Sequence, residues 1–234
     1  MKRRRILLKI SGEVLAGPDG SGADGKALME VATEIQSLVK KNIQVAIVVG
    51  GGNFWRYRDN KSLDIPRSTS DAVGMLATMM NGRLLVEALR SLKVEARVLS
   101  AHGDFYFAEP YVPEFGRRCL DRGEVVVCAG GTGNPYFTTD SAAALRALEL
   151  DCDELLKGTQ VDGVYDCDPK KNKKAKFLAK LSYQKVLDLG LEVMDLTAIV
   201  LCKDNGLPIR VFNGHVKGNL LKVVQGKSIG SLIS

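Results

Sequence analysis

Ile43-Gln44-Val45-Ala46-Ile47-Val48-Val49-Gly50-Gly51-Gly52-Asn53 is the stretch that decides the fold class. Its nearly continuous apolar run lacks period-two alternation, the pattern of a parallel strand covered on both faces, and it runs straight into three glycines. Upstream, residues 26–40 place Leu28, Val31, Ile35, Leu38 and Val39 at helical spacing, and residues 5–10 read as another buried strand. Strand, helix and strand make a βαβ unit. Downstream the alternation recurs. A helix over 70–92 is expected to turn Val73, Leu76, Met80, Leu84 and Ala88 inward, followed by strands at 95–100 and 124–128 and a helix at 140–150. Short strands at 154–156 and 209–212 and helices near 182–189, 195–205 and 219–225 complete an α/β chain.

The expected fold is one α/β domain over 1–234, with a mainly parallel central sheet flanked by helices. A chain of 234 residues that is 45% hydrophobic can bury one sizeable core, and no linker, repeat or low-complexity run divides it. In such sheets ligands bind beyond the carboxyl ends of the strands.

Composition narrows the partners. The basic start, residues 1–5, is followed only by Ile6, Leu7 and Leu8 before Lys9, too short for a signal peptide or spanning helix, so a cytoplasmic protein without membrane contact is expected. Cys119, Cys128, Cys152, Cys167 and Cys202 are scattered and odd in number, which points to reduced thiols and to neither zinc nor disulfides. The net charge of +6 sits mainly in 2–5 and 170–180, both read as solvated runs. With aromatics at 6% and no RNA-binding or helix-turn-helix signature, no nucleic acid is expected and anionic small molecules are the better partners.

Three strands run into glycine- or hydroxyl-rich turns: Lys9-Ile10-Ser11-Gly12, Val49-Gly50-Gly51-Gly52-Asn53 and Ala129-Gly130-Gly131-Thr132-Gly133-Asn134-Pro135. Glycines there let backbone N–H groups close on an anion, as phosphate nests do, although one such loop alone would equally suit a tight strand-to-helix turn. Lys9, inside a buried strand near its end, suits an anion partner, and Arg56 is a second cation near the triplet, whereas Arg58 and Arg67 read equally as loop surface. Gly20 to Ala27 nearly spells a Walker A loop, but Ala27 stands where a magnesium-binding hydroxyl is needed and no strand precedes it, so it reads as a flexible surface loop. His102 and His215 lack flanking motifs, which argues against a histidine triad or zinc site. That absence suits phosphoryl transfer onto a phosphate, which needs no general base at neutral pH. Asp162, Asp166 and Asp168, with Tyr165, fit either Asx turns or a magnesium or nucleotide role.

These motifs resemble the bacterial UMP kinases of the amino-acid kinase superfamily over nearly the whole chain. The resemblance rests on Leu7 to Glu13, the triplet with Asn53 and Arg56, Asp71 to Leu76, Met80-Asn81-Gly82, Lys157 to Pro169, Val193 to Leu196 and Leu207 to Asn213. Its most specific stretch is Gly131 to Asp140. It implies the amino-acid kinase αβα sandwich, transfer of the ATP γ-phosphoryl group to UMP with magnesium, and a homohexamer with GTP and UTP as effectors. By position, Lys9, Ile10, Ser11, Gly12, Gly52 and Arg56 would hold ATP phosphates, and Thr159, Gln160, Tyr165 and Asp168 the adenosine side. Gly51, Asp71, Thr132, Gly133, Asn134, Pro135, Tyr136, Phe137, Thr138 and Thr139 would hold UMP. Lys9 and Arg56 would act in catalysis, with Asp140, Asp162 and Asp195 as candidates to organise magnesium or substrates.

The resemblance also places effector binding at Gly17, Pro18, Asp19, Gly20, Ser21 and Gly22 with Arg97. After Glu109-Pro110-Tyr111 this chain has Val112-Pro113-Glu114-Phe115-Gly116 before Arg117 and Arg118, where the family often carries an arginine cluster, a departure on the effector side. The same fold also hosts kinases of carboxylates or carbamate and silent nucleotide-binding proteins. The first should lack the Thr132 to Asp140 pattern and the second should lose Lys9 or Asp168.

Overall fold

In chain order the first half forms β1 (Arg5–Ile10), α1 (Gly25–Val39), β2 (Gln44–Val49), α2 (Arg67–Ser91), β3 (Ala96–Ser100), β4 (Glu109–Pro110), α3 (Pro113–Asp121) and β5 (Val125–Ala129). The second half adds α4 (Thr139–Glu149), β6 (Glu154–Thr159), β7 (Val164–Tyr165), β8 (Phe177–Leu178), β9 (Lys180–Leu181), α5 (Tyr183–Asp188), α6 (Leu196–Asp204), β10 (Ile209–Asn213), α7 (Asn219–Val224) and β11 (Ser231–Ile233). This is a computed structural model that describes residues 3–59, 64–103, 106–169, 171–172 and 174–234. Residues 1, 2, 170 and 173 of the two basic runs, and the side chain of Arg58, lie outside the described residues.

Every residue of β2 is buried, as its unbroken apolar run requires. It lies between β1 and β5 in a nine-stranded sheet ordered β4-β3-β5-β2-β1-β6-β10-β11-β9, parallel at every pairing except β10 with β11. β7 and β8 form a separate antiparallel hairpin. Side chains of alternate parity fill two cores. On one face Leu7, Ala46, Val126, Leu155 and Val211 meet helices α3, α4, α5 and α6; on the other Ile6, Leu8, Ile47, Val127 and Phe212 meet α1, α2 and α7. The result is the three-layer αβα sandwich expected from the sequence.

Three expectations are corrected. In α2 the inward residues are Ala77, Asn81, Gly82, Leu85, Val86 and Leu89, while Leu76, Met80 and Leu84 are 61%, 47% and 42% exposed. Apolar residues occupy more than one side of this helix, and the sheet comes closest at Gly82, where a Cβ would already stand 3.4 Å from Val98. α2 is also the one described helix long and apolar enough to cross a membrane, yet it carries Asp71, Arg83, Glu87 and Arg90 and its inner face packs on the sheet, as a core helix does. Second, β6 continues through Lys157, Gly158 and Thr159 rather than stopping at Leu156, because pairing with Phe212 and Asn213 of β10 keeps the glycine extended. Third, the loop before α1 is docked rather than loose. Gly22 N–H donates to Asn53 O at 2.9 Å, Asn53 Nδ2 donates to Gly22 O at 2.5 Å, and Asp24 caps α1 through Ala27 N–H at 2.8 Å.

β4, α3, β7, β8, β9 and β11 were not legible as elements, being two- or three-residue strands or, for α3, a polar helix with proline in its first turn.

Candidate active site

Because β1, β2, β5 and β6 are parallel neighbours, their carboxyl ends deliver Lys9, the glycine triplet, the 130–134 loop and Lys157 to one rim of the sheet. Lys9 and Lys157 are register partners on adjacent strands, so their side chains leave the same face. Both meet Asp140 in the first turn of α4: Lys9 Nζ lies 3.0 Å from Oδ1 and Lys157 Nζ donates to Oδ2 at 2.6 Å. Lys157 also donates to Val193 O at 2.6 Å. Burial would raise the Asp140 carboxyl, but the two ammonium groups outweigh it and hold the acid below its ordinary value. Burial pulls Lys157 down from the usual lysine range, with Asp140 opposing. Two ammonium groups on one carboxylate leave this trio one positive charge in excess, with the Asp195 carboxylate near enough to Lys157 to offset part of it.

Glycines at this rim permit backbone to lie on backbone. A Cβ on Gly12 would fall 2.9 Å from Gly50 O and Gly52 N, and one on Gly51 would fall 2.7 Å from the Ala77 methyl. Asn53 and Asn81 exchange amide hydrogen bonds beneath them, and Asn81 Nδ2 also donates to Gly50 O at 2.7 Å. Arg56 folds back over the triplet, donating from Nε to Gly52 O at 2.7 Å and ion-pairing with Glu13.

A cavity of about 150 Å³ opens between the triplet, α2 and the loop after β5, lined by Gly51, Gly52, Asp71, Thr132, Asn134 and Phe137 among others. Its walls are tied together. Asp71 accepts from Tyr136 N–H at 2.8 Å and from Arg67 at 2.8 Å, and Thr78 Oγ1 accepts from Gly130 N–H at 2.7 Å. Thr138 caps α4, accepting from Asp140 N–H at 3.0 Å, and donates to Asp195. Asp195 in turn caps α6 through Ala198 N–H at 2.8 Å and accepts from Ser141 Oγ at 2.9 Å. Gly130, Gly131 and Gly133 take left-handed φ values, as does Tyr136 at 71°, a conformation costly for an aromatic residue and held here by the Asp71 bond. Pro135 completes this turn and, with Thr139 opening α4, shares the rim.

Of the residues read as the nucleotide-triphosphate side, Gly52 lines the small cavity already described, and most of the others divide between two larger ones. Thr159, Tyr165 and Asp168 line one of about 520 Å³, with Leu191, Val193 and Val211. Lys9, Ile10, Ser11, Thr159 and Gln160 border another of about 350 Å³, walled by Val31, Phe212 and Leu220. Val211 and Phe212 belong to opposite cores, so the two cavities flank the sheet and meet at Thr159. Asp162 accepts from Asn213 Nδ2 at 3.2 Å.

A protein-family model described as the amino acid kinase family matches residues 4–213. The chain belongs to the amino acid kinase family. It is similar to the uridylate kinase of Methylococcus capsulatus (strain ATCC 33009 / NCIMB 11132 / Bath), 47% identical over 230 residues that cover 98% of this chain and 96% of the relative. Among solved structures, UMP kinase from Bacillus anthracis superposes with a TM-score of 0.96 at 38% identity, covering 99% of this chain and 96% of that one. UMP kinase from Ureaplasma parvum does so with 0.95 at 38% identity, covering both chains fully.

Within this family fold, the residue that sequence reasoning passed over is Lys157. A signal was present: Leu155-Leu156-Lys157-Gly158-Thr159 repeats the pattern Leu7-Leu8-Lys9-Ile10-Ser11, and the two stretches pair in register. No group of three or more His, Cys, Asp or Glu among the described residues could cage a metal ion. Asp140 and Asp195 are both committed to protein donors, so the donor set fits a magnesium ion that arrives on nucleotide phosphates with its water, the usual habit of that ion. The proposed effector positions are not brought together within one chain. Gly17 to Gly22 form turns beside Asn53, with Asp19 accepting from Ser21, whereas Arg97 on β3 pairs with Glu109 at 2.9 Å and with Glu124.

Proposed function

We propose that the chain transfers the γ-phosphoryl group of ATP to UMP, giving UDP and ADP. The carrying observation is the Lys9–Asp140–Lys157 trio, one positive charge in excess, whose two lysines line the cavity of about 350 Å³ together with Ser11, Thr159 and Gln160. The family membership and the uridylate kinase relative support the same reading.

An oxygen of the UMP phosphate attacks the γ-phosphorus while the bond to the β,γ-bridging oxygen breaks, leaving ADP. With a second pKa near 6, that phosphate is largely a dianion at neutral pH and needs no general base. Catalysis is then positioning and charge neutralisation. Lys9 and Lys157 place fixed positive charge at the junction, and Asp140 holds both ammonium groups in place against their mutual repulsion. Arg56 swings between Glu13 and the transferred group, and Gly52 with Ser11 and Gly12 offer backbone N–H groups. Asp71 holds the UMP ribose, and residues 132–139 hold its phosphate and base. Thr159, Gln160, Tyr165 and Asp168 bind the adenosine side. Magnesium, arriving on the nucleotide rather than in a protein carboxylate cage, would supply further neutralisation of phosphate charge. Asp195 acts as a positioning residue through Thr138 and Ser141.

Self-association as a homohexamer is part of this reading. The outward stripe Leu76, Met80 and Leu84 on α2 supports burial against another copy. GTP and UTP are proposed effectors. The five free cysteines, four of them buried, agree with a cytoplasmic setting. ADP release measured with ATP and magnesium against UMP, CMP, acetylglutamate and carbamate, then repeated with GTP and UTP, tests the whole. Turnover with UMP far above the other acceptors is expected; preference for a carboxylate or carbamate would refute the proposal.

A further inference from the structure

Arg146, on the third turn of α4, is a charged residue with no part in the proposed phosphoryl transfer. It is buried to 5% exposure behind the loop after β5. Its guanidinium is held on three sides: Nη1 donates to Glu149 Oε2 at 2.7 Å, the plane lies 4.0 Å from the Tyr111 ring centroid, and Nη2 donates to Gly131 O at 3.2 Å. Nε makes no hydrogen bond, a cost in a buried group that stability alone does not explain.

The bond to Gly131 has a stereochemical consequence. In a planar trans peptide C=O and N–H point in opposite directions, and the Gly131 carbonyl shares its peptide with the Thr132 N–H. Pulling the carbonyl back onto Arg146 therefore turns the Thr132 N–H forward, toward the cavity that both residues line. That N–H makes no hydrogen bond within the chain among the described residues. The sheet order says which part of the acceptor it faces. β5 lies beyond β2 as seen from β1, so its loop is two strand spacings, roughly 10 Å, from the strand that carries Lys9 and the transferred phosphoryl group. The base of the acceptor nucleotide reaches that far.

We propose that Arg146 is a specificity-determining positioning residue: it locks the Gly131–Thr132 peptide with its N–H toward the base, as a donor for the position-4 oxygen of uracil. Gly131, with φ at 59° and no Cβ, is the kind of residue at which a peptide can turn over at low cost. Released from Arg146, the same peptide can present its carbonyl instead, which accepts from the position-4 amino group of cytosine. One guanidinium thus decides whether the loop offers a donor or an acceptor.

The inference rests on UMP being the acceptor. Wild type, Arg146→Met and Arg146→Lys are compared by kcat/KM for UMP and for CMP, with KM for ATP and thermal melting as controls. Lysine keeps a charge beside Glu149 but cannot span Glu149 and Gly131 together, so it serves if the methionine variant fails to fold. The expected result is a fall of about tenfold or more in the UMP-to-CMP ratio, the worth of one hydrogen bond kept or lost, with KM for ATP unchanged. Equal losses for UMP and CMP, leaving the ratio at its wild-type value, would overturn the inference. A wild-type enzyme indifferent to the base would instead sink the UMP reading itself, before any variant is compared.

Discussion

The loop after β5 and the β7–β8 hairpin are both turn-rich segments at the edge of the site, yet they are held very differently. The loop is fastened at almost every step: Gly130 to Thr78, Gly131 to Arg146, Gly133 to His102 at 2.8 Å, Tyr136 to Asp71 and Thr138 to Asp195. The hairpin has two residues per strand, with Tyr165 meeting Phe177 edge-on at 5.6 Å, and its cavity is more than three times the volume of the other, about 520 against 150 Å³. If the proposed function holds, preorganisation falls where a small acceptor would have to be told from its near relatives, while the larger donor would be gripped chiefly by its phosphates at the shared junction.

The strongest test of that division is at the junction, which serves both halves. Lys157→Met should lower kcat by about 100- to 1,000-fold, the loss typical of one fixed electrostatic donor, with KM for either nucleotide little changed. A kcat within a few fold of wild type in steady-state assays would remove Lys157 from the chemistry. A second test uses acid. The Asp140 pKa lies below its unfolded value, so its stabilisation is complete above that value and is lost as pH falls through the folded pKa. Denaturation midpoints of wild type and Asp140→Asn should therefore differ by a constant amount at neutral pH and converge as pH falls below the ordinary aspartate range. A gap independent of pH down to acid unfolding would show that Asp140 does not hold the lysines by charge.

A smaller effect is expected at the outer face of α2, which carries Asp71 at its start. Leu84→Asp, placing a charge in the exposed stripe, should shift the protein to lower mass by light scattering and raise KM for UMP several-fold, leaving KM for ATP alone. Unchanged mass would place the self-association surface elsewhere.

Much of this comparison was legible beforehand, and the failures have physical causes. β2 and its glycines were readable because a strand buried on both faces cannot alternate, and Lys9 because a charge in such a strand demands a partner. The inner face of α2 was misread because large apolar residues lie on more than one side of the helix, Leu76, Met80 and Leu84 outward and Leu85 and Leu89 inward, while the sheet also accepts Ala77 and Gly82. Lys157 was missed because the strand was read as ending at Leu156, whereas pairing with β10 carries it through Gly158 to Thr159. Arg146 gave no sign because a single arginine in an alanine-rich helix reads as solvated, and only the packing of Tyr111 and Gly131 around it shows otherwise.

The proposed function has two separately built halves meeting at one charged junction. Full kinetics of Asp71→Ala and Asp168→Ala, with both nucleotides varied, test it most directly. Separate halves predict that the first raises KM for UMP about tenfold and spares ATP, while the second does the reverse, as expected for the loss of one charged hydrogen-bonding group. If each variant raised both constants alike, the division into an acceptor half and a donor half would be wrong.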